Sequence, residues 1–364
     1  MSEAQRLVTL VGALEGLAAP TEAWTVAEWS AVADRARRSG VAGVFLAGLP
    51  EHAPAELRAD LRQATLASAG WALRVSGQLT ELLAAARAAG VEVMLLKGAA
   101  LIHTAYERPS LRTFGDLDLL VRRADLPAVA ALSAALGYTE RQEPEVGHHL
   151  RTRVRPGALA VEWHWRPVAT GYAPGLDEAE LAAQWARARR LTVGHEPALA
   201  PASADLLLHL AAHWALCNRC AGGPRPVLDL AVGWRAAADE LDHAELWARA
   251  ERWGVRAALA LGLSLAHELL GVPDAPPPVA VPAEVRARAR ARLANDETIA
   301  PSGRLADAAS AGAATLLAAA WRARGGWRAL WAQHGPLLRA ALRPGRWREV
   351  AAERRLARWL NSGS

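Results

Sequence analysis

Carboxylates and apolar residues alternate in one short segment of this chain, Gly115 to Val121, and that alternation restricts the fold. In a β-strand, side chains two residues apart point to the same side, so Asp116 and Asp118 share one face of a predicted strand. The residues that alternate with them face the other side, which we expect to be buried. Two neighbouring carboxylates repel each other unless a cation lies between them, and Mg²⁺ accompanied by nucleotide phosphates is the usual one. The alternative is a pair of solvated aspartates at the end of a surface strand.

Lys97, which precedes this segment, is the only lysine in a chain with 42 basic residues. The apolar residues 91–96, bounded by Gly90 and Gly98, predict a buried strand, and residues 99–106 predict a helix after the glycine turn. An ammonium group beside such a turn suits the binding of a polyphosphate. The alternative is that Lys97 is solvated and has no role.

A third acid lies in a second alternating segment, where Glu162 and His164 alternate with bulky apolar residues. The pattern predicts a hairpin of residues 150–154 and 159–165, with its turn at Pro156-Gly157. Acids from two neighbouring strands can hold two metal ions about 4 Å apart, and Glu162 can alternatively act as a general base. His164 can orient the acid, contact a phosphate, or be hydrogen-bonded at a sheet edge.

Helical periodicity dominates the remainder, so the predicted fold class is α+β: a small mixed β-sheet core flanked by N-terminal and C-terminal helical regions. Thr25 and Glu28 predict a capping box at the start of one helix. Asp125 is expected to cap another, which runs to Leu136. From about residue 177 onward the pattern is helical again. We therefore divide the chain into an N-terminal helical region (1–88), a core (89–170), a helical domain (171–275) and a C-terminal helical extension (276–364).

The composition excludes several classes of protein. The two cysteines argue against a disulfide framework and fit a reducing cytoplasm. Neither a signal-peptide pattern nor an uncharged apolar run of about 18 residues is visible, so we expect no membrane association. The formal charge of +5 is a mild bias, and generic nucleic-acid binding is not supported. Most of the 15 tryptophans are expected in the core, because they lie at scattered helical positions.

Two histidine-containing segments allow further interpretations. One contains His209, His213, Cys217 and Cys220, but a straight helix cannot bring all four onto one tetrahedral zinc ion. Packed histidines on a buried helix face, lining an acceptor pocket, are favoured over zinc. In the other segment, His148-His149 precedes the hairpin and can either face a bound nucleotide or lack a role there.

Several of these segments, taken in order, resemble the uncharacterised nucleotidyltransferase family of the DNA polymerase β-like nucleotidyltransferase superfamily. The similarity covers roughly residues 30 to 275. It rests on Leu95-Leu-Lys-Gly-Ala-Ala100, Tyr106, Leu111-Arg-Thr-Phe-Gly-Asp-Leu-Asp-Leu-Leu-Val121, Leu136-Gly-Tyr138, Val161-Glu-Trp-His-Trp165, Asp205-Leu-Leu-Leu-His209 through His213, and Leu228-Asp-Leu230.

The resemblance implies a role for each matching residue. Gly98 opens the phosphate-binding turn, Asp116 and Asp118 hold the metal, and Glu162 takes the third carboxylate position. Arg112 matches a family position and can clamp a phosphate, or it can form a structural ion pair with Asp116.

Two departures from the family pattern bear on activity. The glycine-serine pair of the superfamily is here Gly98-Ala99, so a hydroxyl group that would meet the triphosphate is absent. Lys97 can compensate with a charge-assisted contact. The third acid is usually aspartate, and Glu162 is one methylene longer.

The expected function is therefore the transfer of a nucleoside monophosphate from a nucleoside triphosphate (NTP), with Mg²⁺ or Mn²⁺, to a small-molecule or peptide acceptor in a biosynthetic pathway. Lys97, Gly98, Arg112 and His164 are the expected nucleotide-binding residues. The alternatives are a non-catalytic nucleotide-binding or scaffold protein and a phosphotransferase that acts on a peptide or metabolite. The sequence does not define the acceptor, the base or the oligomeric state.

Overall fold

Helices occupy most of the chain before the sheet, as the periodicity predicts. The structure, a computed structural model, describes residues 1–18, 20–143, 147–273, 279–294 and 347–362. The first helices are α1 (Glu3–Leu14), α2 (Val26–Arg38), α3 (Ala42–Ala47) and α4 (Ala55–Ala88). The predicted capping box opens α2: the Thr25 hydroxyl accepts from the Glu28 N–H, and the Glu28 carboxylate accepts from the Thr25 N–H.

A mixed sheet of seven strands follows, which confirms the α+β class. Its strands are β1 (Met94–Leu95), β2 (Asp116–Leu120), β3 (Thr139–Glu140), β4 (Arg153–Val154), β5 (Ala160–His164), β6 (Arg189–Val193) and β7 (Glu196–Ala200). The spatial order is β3-β4-β5-β2-β1-β7-β6. The pairs β2–β5 and β1–β7 are parallel, and the other neighbours are antiparallel. The predicted hairpin is the pair β4–β5.

The register of β2 against β5 assembles the acids that the sequence singles out. Asp118 lies directly opposite Glu162, and Leu119 lies opposite Trp163. Because side chains alternate along a strand, the acids face one side and the apolar residues face the other. Trp163 is fully buried there, and its indole N–H donates to the hydroxyl of Ser133 at 2.8 Å. Ser133 belongs to helix α6 (Leu126–Ala135), which packs beneath this face.

Two element boundaries near the site differ from the prediction. The first strand is only two residues long, and helix α5 (Lys97–Thr104) begins two residues before the expected start. Helix α6 begins as expected, but Asp125 forms no side-chain cap, because it already has a helical backbone conformation. The division of the chain into four domains stays a prediction.

The hairpin β6–β7 was not predicted, and the expectation of helix from residue 177 onward is wrong for residues 189–200. Val193 pairs with Glu196, which leaves a two-residue turn of Gly194 and His195. Gly194 has a φ of +62°, a conformation that glycine adopts without strain. The sequence feature that indicates this hairpin is a two-residue turn with glycine at its first position, flanked on both sides by short runs of alternating residues.

Helices resume after this hairpin. Their bounds are α7 (Glu178–Ala186) before it and α8 (Ser203–Ala212), α9 (Arg225–Ala236), α10 (His243–Trp253), α11 (Arg256–Leu270) and α12 (Ala283–Leu293) after it, with a last helix at Trp347–Ser362. A π-helical turn, His213–Cys217, extends α8. Most of the predicted C-terminal helical extension lies outside the described residues. Within the described ranges, no helix combines the length and the apolar character needed to cross a bilayer.

A buried ion pair ties the segment before β2 to helix α9. The guanidinium of Arg112 donates to the carboxylate of Asp229 from Nη2 at 2.8 Å and from Nε at 3.2 Å. The hydroxyl of Tyr106 donates to the same carboxylate at 2.8 Å. All three side chains are buried. The pair thereby fixes where β2 enters the sheet relative to the helices that cover it.

We expect the substitution Asp229→Ala to lower the free energy of unfolding by about 3–5 kcal/mol, because it leaves the Arg112 charge buried without its partner. Urea unfolding followed by circular dichroism measures the change. The matched control is Glu92→Ala, which removes the partner of Arg122 in an exposed ion pair and should cost less than about 1 kcal/mol. Equal losses in the two variants would contradict this account of the buried pair.

Candidate active site

An ion pair between Lys97 and Asp118 lies at the centre of the candidate site. The ammonium nitrogen of Lys97 is 2.6 Å from Oδ1 of Asp118, and both side chains are largely buried. Lys97 is the first residue of α5 and has a φ of +43°, which is unusual for a residue other than glycine. Such backbone strain concentrates at functional sites, where the surrounding structure maintains it.

The charges of this pair stabilise each other. Burial opposes ionisation of Asp118, but Lys97 and the hydrogen bond from His164 outweigh it and hold the pKa of Asp118 well below its usual value. Burial also opposes protonation of Lys97, yet Asp118, Asp116 and Glu162 together raise the pKa of Lys97. Both groups are therefore charged at neutral pH.

Glu162 and His164 complete the centre from strand β5. Nε2 of His164 is 2.9 Å from Oδ1 of Asp118 and 3.4 Å from Oε2 of Glu162, so its N–H lies between the two carboxylates. The hydroxyl of Thr152 lies 3.5 Å from the other oxygen of Glu162. Burial raises the pKa of Glu162, but the hydrogen bond from His164 outweighs it, and the pKa of Glu162 is lowered.

Asp118, Glu162 and His164 are the three residues whose side chains are placed so that they can hold a metal ion. Asp118, Glu162 and His164 each offer a ligand atom, and these atoms lie within 4.8 Å of one another. Among the described residues no other such group of three or more occurs, so the zinc alternative at His209, His213, Cys217 and Cys220 gains no support.

Asp116 lies beside this group but is not part of it. It pairs with Ala160, two positions before Asp118, and is half-buried on the same face of the sheet. Burial and the negative charge of Asp118 raise the pKa of Asp116. A cation near Asp116 therefore relieves repulsion between neighbouring carboxylates, as the sequence pattern indicates.

The histidines of the His148-His149 segment also reach the site. The ring of His149 is 4.9 Å from that of His164, and the ring of His148 is 5.4 Å from it. Burial and the nearby charge of His164 lower the pKa of His148 to about 3 and also lower that of His149. The site therefore combines carboxylates with neutral imidazoles, a feature that sequence reasoning raised only as an alternative.

Gly98 and Arg112 meet directly behind Lys97. A Cβ atom added at Gly98 would overlap Nη1 of Arg112 and would lie 2.7 Å from the ring of Phe114. The ion pair expected as an alternative for Arg112, with Asp116, is instead made with Asp229. In the described part of the chain, Nη1 of Arg112 is buried and has no hydrogen-bond partner. Gly98 is therefore required by packing as well as by its place at the helix start.

A further cation at the site was not found by sequence reasoning. Arg225, the first residue of α9, is partly buried, and within the described ranges it has no ion pair. Burial and the adjacent charge of Arg112 lower the pKa of Arg225, whereas Asp229 and Asp116 oppose this effect. The glycines that precede it, Gly222 and Gly223, both have positive φ values. Sequence position alone gave no signal, because Arg225 is distant from the strand motifs.

Helix α8 and its π-helical extension bring two more histidines towards Lys97. His209 is fully buried, and within the described residues neither of its ring nitrogens has a hydrogen-bond partner. Burial, reinforced by the charge of Lys97, lowers the pKa of His209 to about 3, and the same two causes hold the pKa of His213 well below its usual value. The two rings are 6.2 Å apart. This agrees with the prediction of packed histidines on a buried helix face.

Comparisons with known proteins give one family and one solved structure. The model of the family described as uncharacterised nucleotidyltransferase matches residues 25–271. The comparison with curated proteins gives no match. The solution structure of the antibiotic-resistance factor ANT(2'')-Ia is similar at 12% identity over 47% of this chain and 86% of that chain, with a TM-score of 0.34.

We expect the substitution Gly98→Ala to lower the free energy of unfolding by about 1–3 kcal/mol, because the added methyl group displaces the buried Arg112 guanidinium. Urea unfolding again measures the change. The control is Gly77→Ala, an exposed position in α4 where a Cβ meets nothing within 4 Å. It should raise stability by about 0.5–1 kcal/mol, because alanine favours the helix. A neutral Gly98→Ala would show that the packing behind Lys97 adapts.

Proposed function

This chain belongs to the uncharacterised nucleotidyltransferase family, and from that membership we propose that it transfers a nucleoside monophosphate from an NTP to a small-molecule or peptide acceptor. One observation carries the proposal. Asp118 and Glu162 lie side by side on neighbouring parallel strands, and the only lysine of the chain contacts Asp118. The three groups meet at one point, although the chain separates them by up to 65 positions.

The basic residues are assigned to the polyphosphate. The Lys97 ammonium has three N–H donors and directs one to Asp118, so others are available for phosphate oxygens. Lys97 is itself the first residue of α5, and a helix start favours anions. We assign Nη1 of Arg112, which has no hydrogen-bond partner among the described residues, and the Arg225 guanidinium to the same polyphosphate, because each is a cation at the site. These contacts offset the hydroxyl missing at Ala99.

The acids are assigned to divalent cations. Asp116, Asp118 and Glu162 present carboxylate oxygens on one face of the sheet, which is the donor type that Mg²⁺ and Mn²⁺ prefer. A bound cation supplies neutralisation of the phosphate charge and activation of the attacking group. His164 holds the carboxylates of Asp118 and Glu162 at hydrogen-bonding distance from one imidazole and so keeps them convergent.

The proposed reaction is a displacement at the α-phosphorus of the NTP. An oxygen or nitrogen of the acceptor forms a bond to the α-phosphorus, the bond from that phosphorus to the bridging oxygen breaks, and pyrophosphate leaves with the electron pair. The proton of the acceptor passes to solvent, or to Glu162 in the alternative in which this carboxylate is the general base and not a metal ligand; its lowered pKa keeps it ionised at neutral pH. We assign the acceptor side to α8 with His209 and His213.

A cytoplasmic location is proposed from the unpaired state of Cys217 and Cys220.

We expect the purified chain to bind at least one NTP in the presence of Mg²⁺ or Mn²⁺, measured by isothermal titration calorimetry with all four NTPs. The double variant Asp116→Asn/Asp118→Asn should lose this binding, because the amides cannot replace the charges that hold the cation. The control is Asp60→Asn, the same chemical change at an exposed position of α4. The absence of metal-dependent binding of any NTP by the wild type would exclude the catalytic proposal.

The variant Lys97→Met tests the polyphosphate assignment separately. It should weaken NTP binding by about tenfold or more, since it removes a charge-assisted contact worth about 1.5–3 kcal/mol. Product analysis with candidate acceptors then distinguishes the alternatives. Pyrophosphate release indicates nucleotidyl transfer, and release of a nucleoside diphosphate indicates a phosphotransferase. Tight binding without either product indicates a nucleotide-binding protein, an outcome that the missing hydroxyl at Ala99 favours.

A further inference from the structure

We propose that a groove between helices α1, α11 and α12 binds an amphiphilic anion, namely a single-chain carboxylate of the fatty-acid type. Its apolar chain would lie along the groove, and its carboxylate would contact the arginines at the rim. The residues of the groove are separate from those of the candidate active site, so the inference does not depend on the proposed function.

The groove is a gap between two helices that a third helix bridges. Helices α1 and α12 form its walls, and α11 packs against both and closes the base. The cavity has a volume of about 670 Å³. Small-molecule sites in proteins usually have volumes of about 300–1,000 Å³, so the groove is large enough for a ligand.

Small side chains on α12 keep the groove open. Residues three and four positions apart lie on the same face of a helix, and the α12 residues that face the groove at this spacing are all alanines: Ala283, Ala287, Ala291 and Ala294. On the opposite wall α1 presents Leu10 and Leu14. The alanine row spans about 16 Å, which is about the length of an extended twelve-carbon chain.

The rim of the groove carries more positive than negative charge. Arg6, Arg286 and Arg290 line it, and Glu268 is the only acid among the described residues that do so. The carboxylate of Glu268 lies 3.1 Å from the Arg290 guanidinium and 3.6 Å from that of Arg286. Arg6 lies across Gly271 at the end of α11 and has no ion pair in the described part of the chain. Three guanidinium groups therefore face one carboxylate.

This combination of surfaces selects one class of ligand. A neutral hydrocarbon would leave the surplus charge unmatched, and a small polar anion would leave the apolar walls exposed to water. A cationic amphiphile would be repelled by the rim. A single-chain carboxylate satisfies both surfaces, because guanidinium groups bind carboxylates through paired N–H donors and the chain covers the alanines and leucines.

The test is isothermal titration calorimetry of the full chain with dodecanoate, at concentrations below those at which it forms micelles. Dodecanoate should bind saturably. Octanoate should bind at least about tenfold more weakly, since it lacks four of the buried methylene groups. Dodecyltrimethylammonium, which has a chain of the same length and the opposite charge, should also bind at least about tenfold more weakly.

Two variants then locate the ligand. Ala287→Leu fills the groove and should weaken dodecanoate binding by about tenfold or more, whereas leucine at this exposed helical position preserves the fold. Arg6→Gln removes the arginine without an ion pair and should weaken binding by about threefold or more. The matched controls are Ala67→Leu and Arg62→Gln, the same changes at exposed positions of α4, which should leave dodecanoate binding unchanged.

Several outcomes would overturn the inference. They are the absence of dodecanoate binding, equal binding of the cationic amphiphile, and unchanged binding by Ala287→Leu. Binding to vesicles that contain an anionic phospholipid, without binding of monomeric dodecanoate, would also overturn it and would indicate a membrane surface as the partner.

Discussion

The rest of the site depends on a single buried lysine that balances a surplus of negative charge. Asp116, Asp118 and Glu162 lie on one face of the sheet, and Lys97 contacts the most deeply buried of them. Without a cation in that position, burial would favour protonation of Asp118 and weaken its hydrogen bond with His164. Lys97 neutralises one of these three acids, and the Arg225 guanidinium adds a second positive charge that acts on Asp116.

A second layer of contacts holds that lysine in place. Arg112 packs against Gly98 at the start of α5, and its guanidinium is held by the carboxylate of Asp229 in helix α9. The start of α5 therefore packs against a side chain that α9 holds in place. The turn that contains the strained backbone of Lys97 is thus linked, through Arg112, to a carboxylate more than 100 positions further along the chain. The helices after the sheet therefore position the site as well as cover it.

The sequence was sufficient where local alternation decides the structure. The strands around Asp118 and Glu162, their shared face, the hairpin β4–β5 and the capping box at Thr25 follow from spacing alone, and the family resemblance agrees with the family match. The partner of Arg112 and the proximity of Arg225 to the site did not follow, because they depend on long-range packing. The hairpin β6–β7 was missed since its short strands lie between strongly helical segments.

The alternation in β5 couples folding to chemistry. A slip of one residue in the pairing of β2 with β5 would move Glu162 and His164 to the apolar side and bring Trp163 to the polar side. Such a state would bury the Glu162 carboxylate beside leucines and would expose Trp163. Each of these two changes raises the free energy of the misassembled molecule. Folding of this sheet and assembly of the site are consequently one event, because the register that buries Trp163 is also the register that brings Glu162 beside Asp118.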